Sequence, residues 1–190
     1  RYFNEVFKRG KPKTICDGKE DKQIYLNGNV SEFAAKSILN TAGIGVNKEI
    51  LAKNCEEAIA AKEAIEGPVV LKIASPDIQH KTEIGGVLLN LTSKEEVEAG
   101  YYKLMGNVEV GAPNAKVEGI IVAEMVSGGV ETVLGVNRDP VFGPTVMFGL
   151  GGVFVEVFKD ITFRIAPFGV EEAHRMIDEI RGRAILDGVR

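Results

Sequence analysis

Apolar positions along the chain follow two spacings, one helical and one extended. Phe33, Ala34, Ile38 and Leu39 recur three to four apart behind Ser31 and ahead of Gly43, so a capping hydroxyl, a stripe and a glycine stop predict a short helix. Asn54 opens a second stripe, Ala58, Ala61, Ala64 and Ile65, with Glu57 at the capping-box position and Gly67 at its end. After Pro68 the period changes. The run VVLKI is short and rich in β-branched residues, as a strand should be, and VLLNL repeats the pattern beyond the polar loop SPDIQHKTEIGG. Ser93 and Glu96 form another capping box, and the helix they open, with Val97, Tyr101 and Leu104, is expected to stop at Gly106. This alternation predicts a βαβ-like α/β lobe.

Beyond Pro113 strands crowd together. VEGIIVAEMV, VETVLGV, TVMFGL, VFVEVF and TFRIAP are separated by Gly/Pro-rich turns and read as mostly antiparallel. A last helix starts near Val170, with Ala173, Met176, Ile177 and Ile180 at helical spacing and Glu171 and Glu172 in its first turn, where the helix dipole favours them. The fold class is therefore α+β (α/β), in two lobes. Residues 1–29, basic and then turn-rich, read as a linker or the tail of a preceding domain; 30–128 form the first lobe and 129–190 part of the second. Their boundary falls at the turn Ser127 to Gly129 or within VNRDPVFGP.

Composition narrows the possible functions. With 45% hydrophobic and 26% charged residues among 190, the chain can bury a core, and no apolar run nears the ~20 residues of a membrane helix. A net charge of -4, no Trp and 7% aromatics give no pull toward nucleic acid and no base-stacking platform. Cys16 and Cys55 lie far apart without neighbouring ligand types, which fits reduced thiols in the cytosol. The opening RYFNEVFKRGKPK has neither an initiator Met nor a signal segment, and reads as the middle of a longer protein.

The loop SPDIQHKTEIGG concentrates the candidate chemistry. Gly85 and Gly86 would let backbone N–H groups approach a phosphate, with Lys81 or Lys72 supplying charge, although the same pair could simply make a turn. Lys72, inside an apolar strand, must reach solvent or pair with an anion, and the strand pattern favours a wet face. Glu124 in IIVAEMV poses the same question. His80 could be a nucleophile, a general base, a metal ligand or a hydrogen-bonded loop residue; no second His or Cys lies at ligand spacing, and His174 falls on the charged side of the last helix. FGLGGVFVE is a second glycine cluster, a tight turn or a place of close ligand approach. Glu156 and Asp160 after it read as facing water rather than holding a metal, and no metal ligands are assigned.

Together, PVVLKIASPDIQHKTEIGGVLLNL and MVSGGVETVLGVNRDPVFGPTVMFGLGGVFVEVFKDITFRIAP, with SEFAAKSILNTAGIGV as the opening helix, resemble the ATP-grasp region of the ADP-forming (NDP-forming) acyl-CoA and acetyl-CoA synthetases, relatives of the succinyl-CoA synthetase beta subunit. The resemblance runs from about Ser31 to Arg190. It implies an ATP-grasp fold whose two lobes hold ATP or ADP with magnesium between them, and a reversible reaction of acyl-CoA, ADP and phosphate to acid, CoA and ATP. By resemblance, His80 would carry a phosphoryl group between the nucleotide and a second phosphohistidine on a CoA-binding part. Imidazole, in large part neutral near pH 7, suits such a covalent relay. Lys72 resembles the family's phosphate-contacting strand lysine, with Lys81 beside it; Gly85, Gly86 and Val87 resemble the turn over the phosphates. Glu124, Met125 and Val126 match the segment expected at the adenine edge, Glu131 the acidic residue toward the ribose, and Gly151 and Gly152 the second lobe's glycine turn.

The family's next strand, roughly E-L-D-I-N-P and the source of its magnesium ligands, would follow Arg190, so the C-terminal part is expected to be truncated and the fragment alone inactive. The partners implied are CoA-binding and ligase domains or an alpha-type subunit, an acyl-CoA or acid substrate, an oligomeric assembly and a cytoplasmic location. Two alternatives stand beside this reading: a regulatory nucleotide-binding module of a synthetase-like acetyltransferase, and another ATP-grasp ligase, whose acyl-phosphate chemistry needs no phosphohistidine.

Overall fold

The computed structural model describes residues 30–78, 80–152 and 159–188. The linker assigned to 1–29, Cys16, and the strand VFVEVF with Glu156 lie outside them. The described residues form two compact units that meet in sequence between Ser127 and Gly128.

In the unit that ends at Ser127, α1 (Glu32–Thr41), α2 (Cys55–Ala64) and α3 (Lys94–Gly111) accompany β1 (Glu49–Ala52), β2 (Val69–Ala74), β3 (Val87–Leu91) and β4 (Gly119–Glu124). Each helix starts on the side chain expected to cap it: Ser31, Asn54 and Ser93 accept from the amides of Ala34, Glu57 and Glu96. Glu96 returns the bond to the Ser93 amide and closes the box.

The sheet order is β1-β4-β2-β3, and all three pairings are antiparallel. This corrects the βαβ-like reading, since βαβ units make parallel pairs. β2 and β3 instead fold back on each other across the polar loop, and α3 follows the hairpin. β1, four residues long and without a sequence signal, is fixed by its register with β4, Glu49 opposite Ala123 and Ala52 opposite Ile120. Gly106 does not end α3, which continues to Gly111. A Cβ at Gly106 would meet nothing within 4 Å, and a helical glycine in open space costs only about 1 kcal/mol. Gly100 is different: a Cβ there would lie 3.0 Å from Leu71 and 3.2 Å from Leu88, so its absence lets α3 lie close on β2 and β3.

Alternation sorts the central strands into two faces. Val69, Leu71 and Ile73 of β2, with Ile120 and Val122 of β4, are wholly buried against Ala58, Ala61, Val97, Leu104 and Val108 of α2 and α3. On the other face Ala74, Ile121 and Ala123 form a smaller core with Phe33 of α1 and Leu51 of β1. Lys72 belongs to this second face.

The unit from Gly128 onward contains β5 (Thr132–Asp139), β6 (Gly143–Leu150) and β7 (Ile161–Ile165), antiparallel in that order, then α4 (Val170–Asp178) and the short α5 (Arg183–Leu186). Antiparallel pairing here follows the sequence pattern. Leu150, Met176 and Ile180 are buried. So is Arg164, whose Nε donates to Glu172 at 2.7 Å while its Nη2 lies 2.8 Å from Glu179. Its charge is thus desolvated but paired.

Candidate functional site

The second face of the first sheet builds the site. Lys72 stands opposite Ile121 on β4 and Val87 on β3, and Glu49 stands opposite Ala123, so Lys72, Val87 and Glu49 share the face that α1 covers. From the first turn of α1, Glu32 reaches Lys72: the ammonium donates to Glu32 Oε1 at 2.8 Å. Lys72 is neither solvated on a wet face nor unpaired; it is partly buried against a carboxylate forty positions away.

The loop after β2 delivers a second lysine to the same carboxylate. Its start is fixed by short bonds, since the Asp77 amide donates to buried Ser75 Oγ at 3.1 Å and Asp77 Oδ2 accepts from the Lys116 amide at 2.7 Å. Buried Ile78 pins it to the main core. His80 then stands at the entry to a 3-10 turn over Lys81–Ile84, its carbonyl accepting from the Glu83 amide at 3.1 Å and its imidazole exposed. Lys81 Nζ lies 3.4 Å from Glu32 Oε2. Gly85 closes the turn with φ +64, a left-handed conformation open to glycine, and its carbonyl accepts from Asn107 Nδ2 at 2.8 Å.

Gly86 is buried. Its amide donates to Lys81 O at 2.7 Å and its carbonyl accepts from the Ile73 amide at 3.0 Å, so the glycine turn ties the lysine loop back onto β2. A Cβ at Gly86 would sit 2.8 Å from Lys81 O and 2.9 Å from Ile73 Cδ1.

Charge fills this face. Lys36 of α1 lies 3.1 Å from Glu32 and donates to Glu49 at 2.7 Å; the Glu49 side chain is only 6% exposed. Burial by itself pushes the Glu32 carboxyl up, but hydrogen bonds from Lys72 and Lys36 and their charges outweigh it and bring the pKa down to about 2. Burial likewise pushes Lys36 down, and Glu49 and Glu32 more than reverse it, raising its pKa. The two lysines named for phosphate contact are thus held on one anion.

At the end of β4 the Glu124 carboxylate is exposed. Much of the backbone there is engaged: the Glu124 amide donates to Lys48 O at 2.9 Å, the Met125 amide to Pro68 O at 3.1 Å, and the Glu124 carbonyl accepts from Asn47 Nδ2 at 3.3 Å. Of the segment named for the adenine edge, the Met125 carbonyl and the Val126 amide make no backbone hydrogen bond among the described residues.

In the other unit Glu131 and the second glycine turn meet. The Gly151 amide donates to Glu131 O at 2.7 Å, and a Cβ at Gly151 would lie 2.9 Å from Glu131 Cβ. Gly152 has φ +59, and a Cβ there would stand 3.2 Å from Glu131 Oε2. Asp160 is structural, its two oxygens accepting from the Arg181 and Gly182 amides at 2.8 and 2.7 Å.

Sequence reasoning missed Glu32, Lys36, Glu49 and Asn107. Glu32 was legible only as a first-turn acid of a capped helix; what makes it part of a site is the tertiary contact. Among the described residues no three His, Cys, Asp or Glu side chains converge to hold a metal ion, so this chain's described residues form no magnesium cage.

Comparison with known proteins places the fold. The chain belongs to the ATP-grasp domain family, whose model matches residues 26–190. Its relatives are ADP-forming CoA ligases. It is 44% identical to acetate–CoA ligase [ADP-forming] I of Archaeoglobus fulgidus over 90% of this chain and 25% of that protein. It is also 44% identical to the beta subunit of acetate–CoA ligase [ADP-forming] I of Pyrococcus furiosus, over 86% of this chain and 71% of the subunit. Among solved structures, the dinucleotide forming acetyl-coenzyme A synthetase 1 of Ca. Korarchaeum cryptofilum, in complex with coenzyme A, Ca-AMPCP and HgCl+, matches with a TM-score of 0.83 and 48% identity over 86% of this chain and 72% of that one. The chain therefore spans about a quarter of the Archaeoglobus enzyme's length. The family and fold expected from the sequence are borne out.

Proposed function

We propose that the chain is the nucleotide-binding, phosphohistidine-relay part of an ADP-forming acyl-CoA synthetase, in which acyl-CoA, ADP and phosphate give acid, CoA and ATP reversibly. The observation that carries the reading is the convergence of Lys72 and Lys81 on one carboxylate, beside a glycine turn and immediately after exposed His80. Two ammoniums presented to one anion suit a polyphosphate, and charge-assisted bonds in a partly desolvated place are strong.

In this reading Lys72 and Lys81 bind the phosphates, the Gly85–Gly86 turn lets the backbone come close, and Val126 with the Met125 carbonyl meets the adenine edge. By resemblance Glu131 of the other unit is the acidic residue for a ribose, and it lies against Gly151 and Gly152. His80 does the chemistry. A ring nitrogen of His80 attacks the phosphorus of a phosphohistidine on the CoA-binding part, so that one N–P bond forms as another breaks and the other imidazole leaves. His80 then yields the phosphoryl to a terminal ADP oxygen, an O–P bond replacing the N–P bond and the imidazole returning unchanged. Exposure of the ring supports this, because a relay group must reach partners on both sides.

The Korarchaeum enzyme has been solved with a phosphorylated phosphohistidine segment, at 47% identity to this chain. The Pyrococcus relative is a beta subunit, which supports a separate CoA-binding domain or alpha-type subunit as partner and an oligomeric enzyme. Magnesium is assigned to the nucleotide's own phosphates, as is usual for a hard cation that binds few protein ligands. No described helix is long and apolar enough to cross a membrane. The cytoplasmic location is assigned on the reading of Cys16 and Cys55 as reduced thiols. The test is titration of ADP with magnesium into the full-length protein and its Lys72→Ala variant. Affinity is expected to fall about tenfold or more, the worth of a charge-assisted bond; an unchanged affinity would overturn the nucleotide reading.

A further inference from the structure

Glu32 is a residue for which the relay has no use, yet it has the most crowded electrostatic surroundings among the described residues of its unit. Its Oε1 lies 2.8 Å from Lys72 Nζ and 3.1 Å from Lys36 Nζ, and its Oε2 lies 3.4 Å from Lys81 Nζ. A structural ion pair needs one cation. Here three converge, from a helix, a strand and a turn, and two of them are the lysines assigned to phosphate.

Two ammoniums brought to one place repel unless an anion stands between them. A carboxylate answers this with two negative oxygens in a fixed fork, the same acceptor chemistry that an edge of a phosphate presents. The third lysine explains how Glu32 could give the others up. Lys36 is held by nearly buried Glu49 at 2.7 Å, so it stays in place and keeps Glu32 paired when Lys72 and Lys81 turn to another anion. Three lysines against Glu32 and Glu49 leave one net positive charge, which still attracts a polyanion.

We propose that Glu32 is an internal placeholder for the nucleotide's phosphates: it holds the Lys72 and Lys81 ammoniums side by side in the nucleotide-free protein and is displaced by the incoming phosphate, remaining on Lys36. This rests on the reading of Lys72 and Lys81 as phosphate ligands. Glu32 is thus a positioning residue that competes with the ligand, and it sets nucleotide affinity below what the lysines alone would give.

The test uses the full-length protein and three probes, ADP, pyrophosphate and adenosine, titrated into wild type, Glu32→Gln and Lys72→Ala. Glu32→Gln keeps the shape and removes the competing charge, so affinity for ADP and pyrophosphate is expected to rise about three- to tenfold, with adenosine unchanged, the scale of one partly exposed charge contact. Lys72→Ala should lose affinity for both phosphate probes. If Glu32→Gln does not fold, Glu32→Asp, which withdraws the carboxylate by one methylene, should move affinity in the same direction. Unchanged or weaker phosphate binding by Glu32→Gln, with Lys72→Ala still weakened, overturns the placeholder and leaves the nucleotide reading standing. An equal gain for adenosine overturns it too, because the competition would not be for phosphate. Binding indifferent to Lys72→Ala defeats the nucleotide reading and the placeholder together.

Discussion

β2 and β4 bury almost every side chain, whereas on β5 Leu134 and Val136 remain 67% and 74% exposed. The first sheet is covered on both faces, by α2 and α3 on one and by α1 on the other, and this cover lets it hold a charged cluster in place. In the second, the candidate residues are one carboxylate, Glu131, and the Gly151–Gly152 turn that lies against it. One unit thus presents charged side chains from a sheet buried on both faces, while the other leaves apolar side chains of its sheet exposed and sets one carboxylate against a glycine turn.

That contrast can be broken by mutation, most strongly in the core. Leu71→Ala removes a wholly buried side chain from the first sheet and should cost about 2–5 kcal/mol in urea unfolding followed by circular dichroism; a loss below about 1 kcal/mol would mean that this frame is looser than described. Gly86→Ala should cost about 1–3 kcal/mol, because its Cβ would meet Lys81 O at 2.8 Å, whereas Gly106→Ala, in open space, should be neutral or stabilising by up to about 1 kcal/mol. Equal melting temperatures for the two glycine variants would contradict the close approach at the lysine turn.

Acid tests the charged cluster at a smaller scale. The Glu32 carboxyl ionises at about 2 in the folded chain against an ordinary 4.5, so the unfolded chain takes up the proton first. The stability this supplies is complete above about pH 4.5 and is lost as pH falls toward 2. Allowing for its partial exposure, this is about 1–2 kcal/mol. Glu32→Gln should flatten that part of the stability profile, and an unchanged slope would remove Glu32 from the lysine network. Smallest of all, Leu134→Ala on exposed β5 should change stability by less than about 0.5 kcal/mol; a larger loss would show that the second sheet is covered after all.

What could be read from the sequence was mostly what is local. Ser31, Asn54 and Ser93 cap their helices through bonds three residues long, so their signals stand in the sequence itself. β1 escaped because EILA is four residues long and becomes a strand only by pairing with β4, seventy residues on. The direction of β2 against β3 escaped for the same reason: an apolar run carries no mark of parallel or antiparallel partners. Gly106 reads as a stop in sequence, but a stop needs a left-handed turn or a partner for the last carbonyls, and α3 finds its end at Gly111 instead. For the candidate site, motif resemblance named Lys72, Lys81 and the glycines; the first two meet on one carboxylate, and Gly85 and Gly86 close the turn that carries Lys81. Glu32 could not be named, since its meaning depends on lysines 40 and 49 positions away.

The most direct measurement is phosphoryl labelling of the full-length enzyme, wild type against His80→Ala, from γ-labelled ATP with magnesium. Acid-labile label is expected on His80 and absent from His80→Ala, with ADP affinity of that variant within about threefold of wild type, since the exposed ring is not among the groups assigned to hold phosphate. Tight ATP binding with no label at His80, or an unchanged overall rate in His80→Ala, would contradict the relay and make this chain a nucleotide-binding module of another kind.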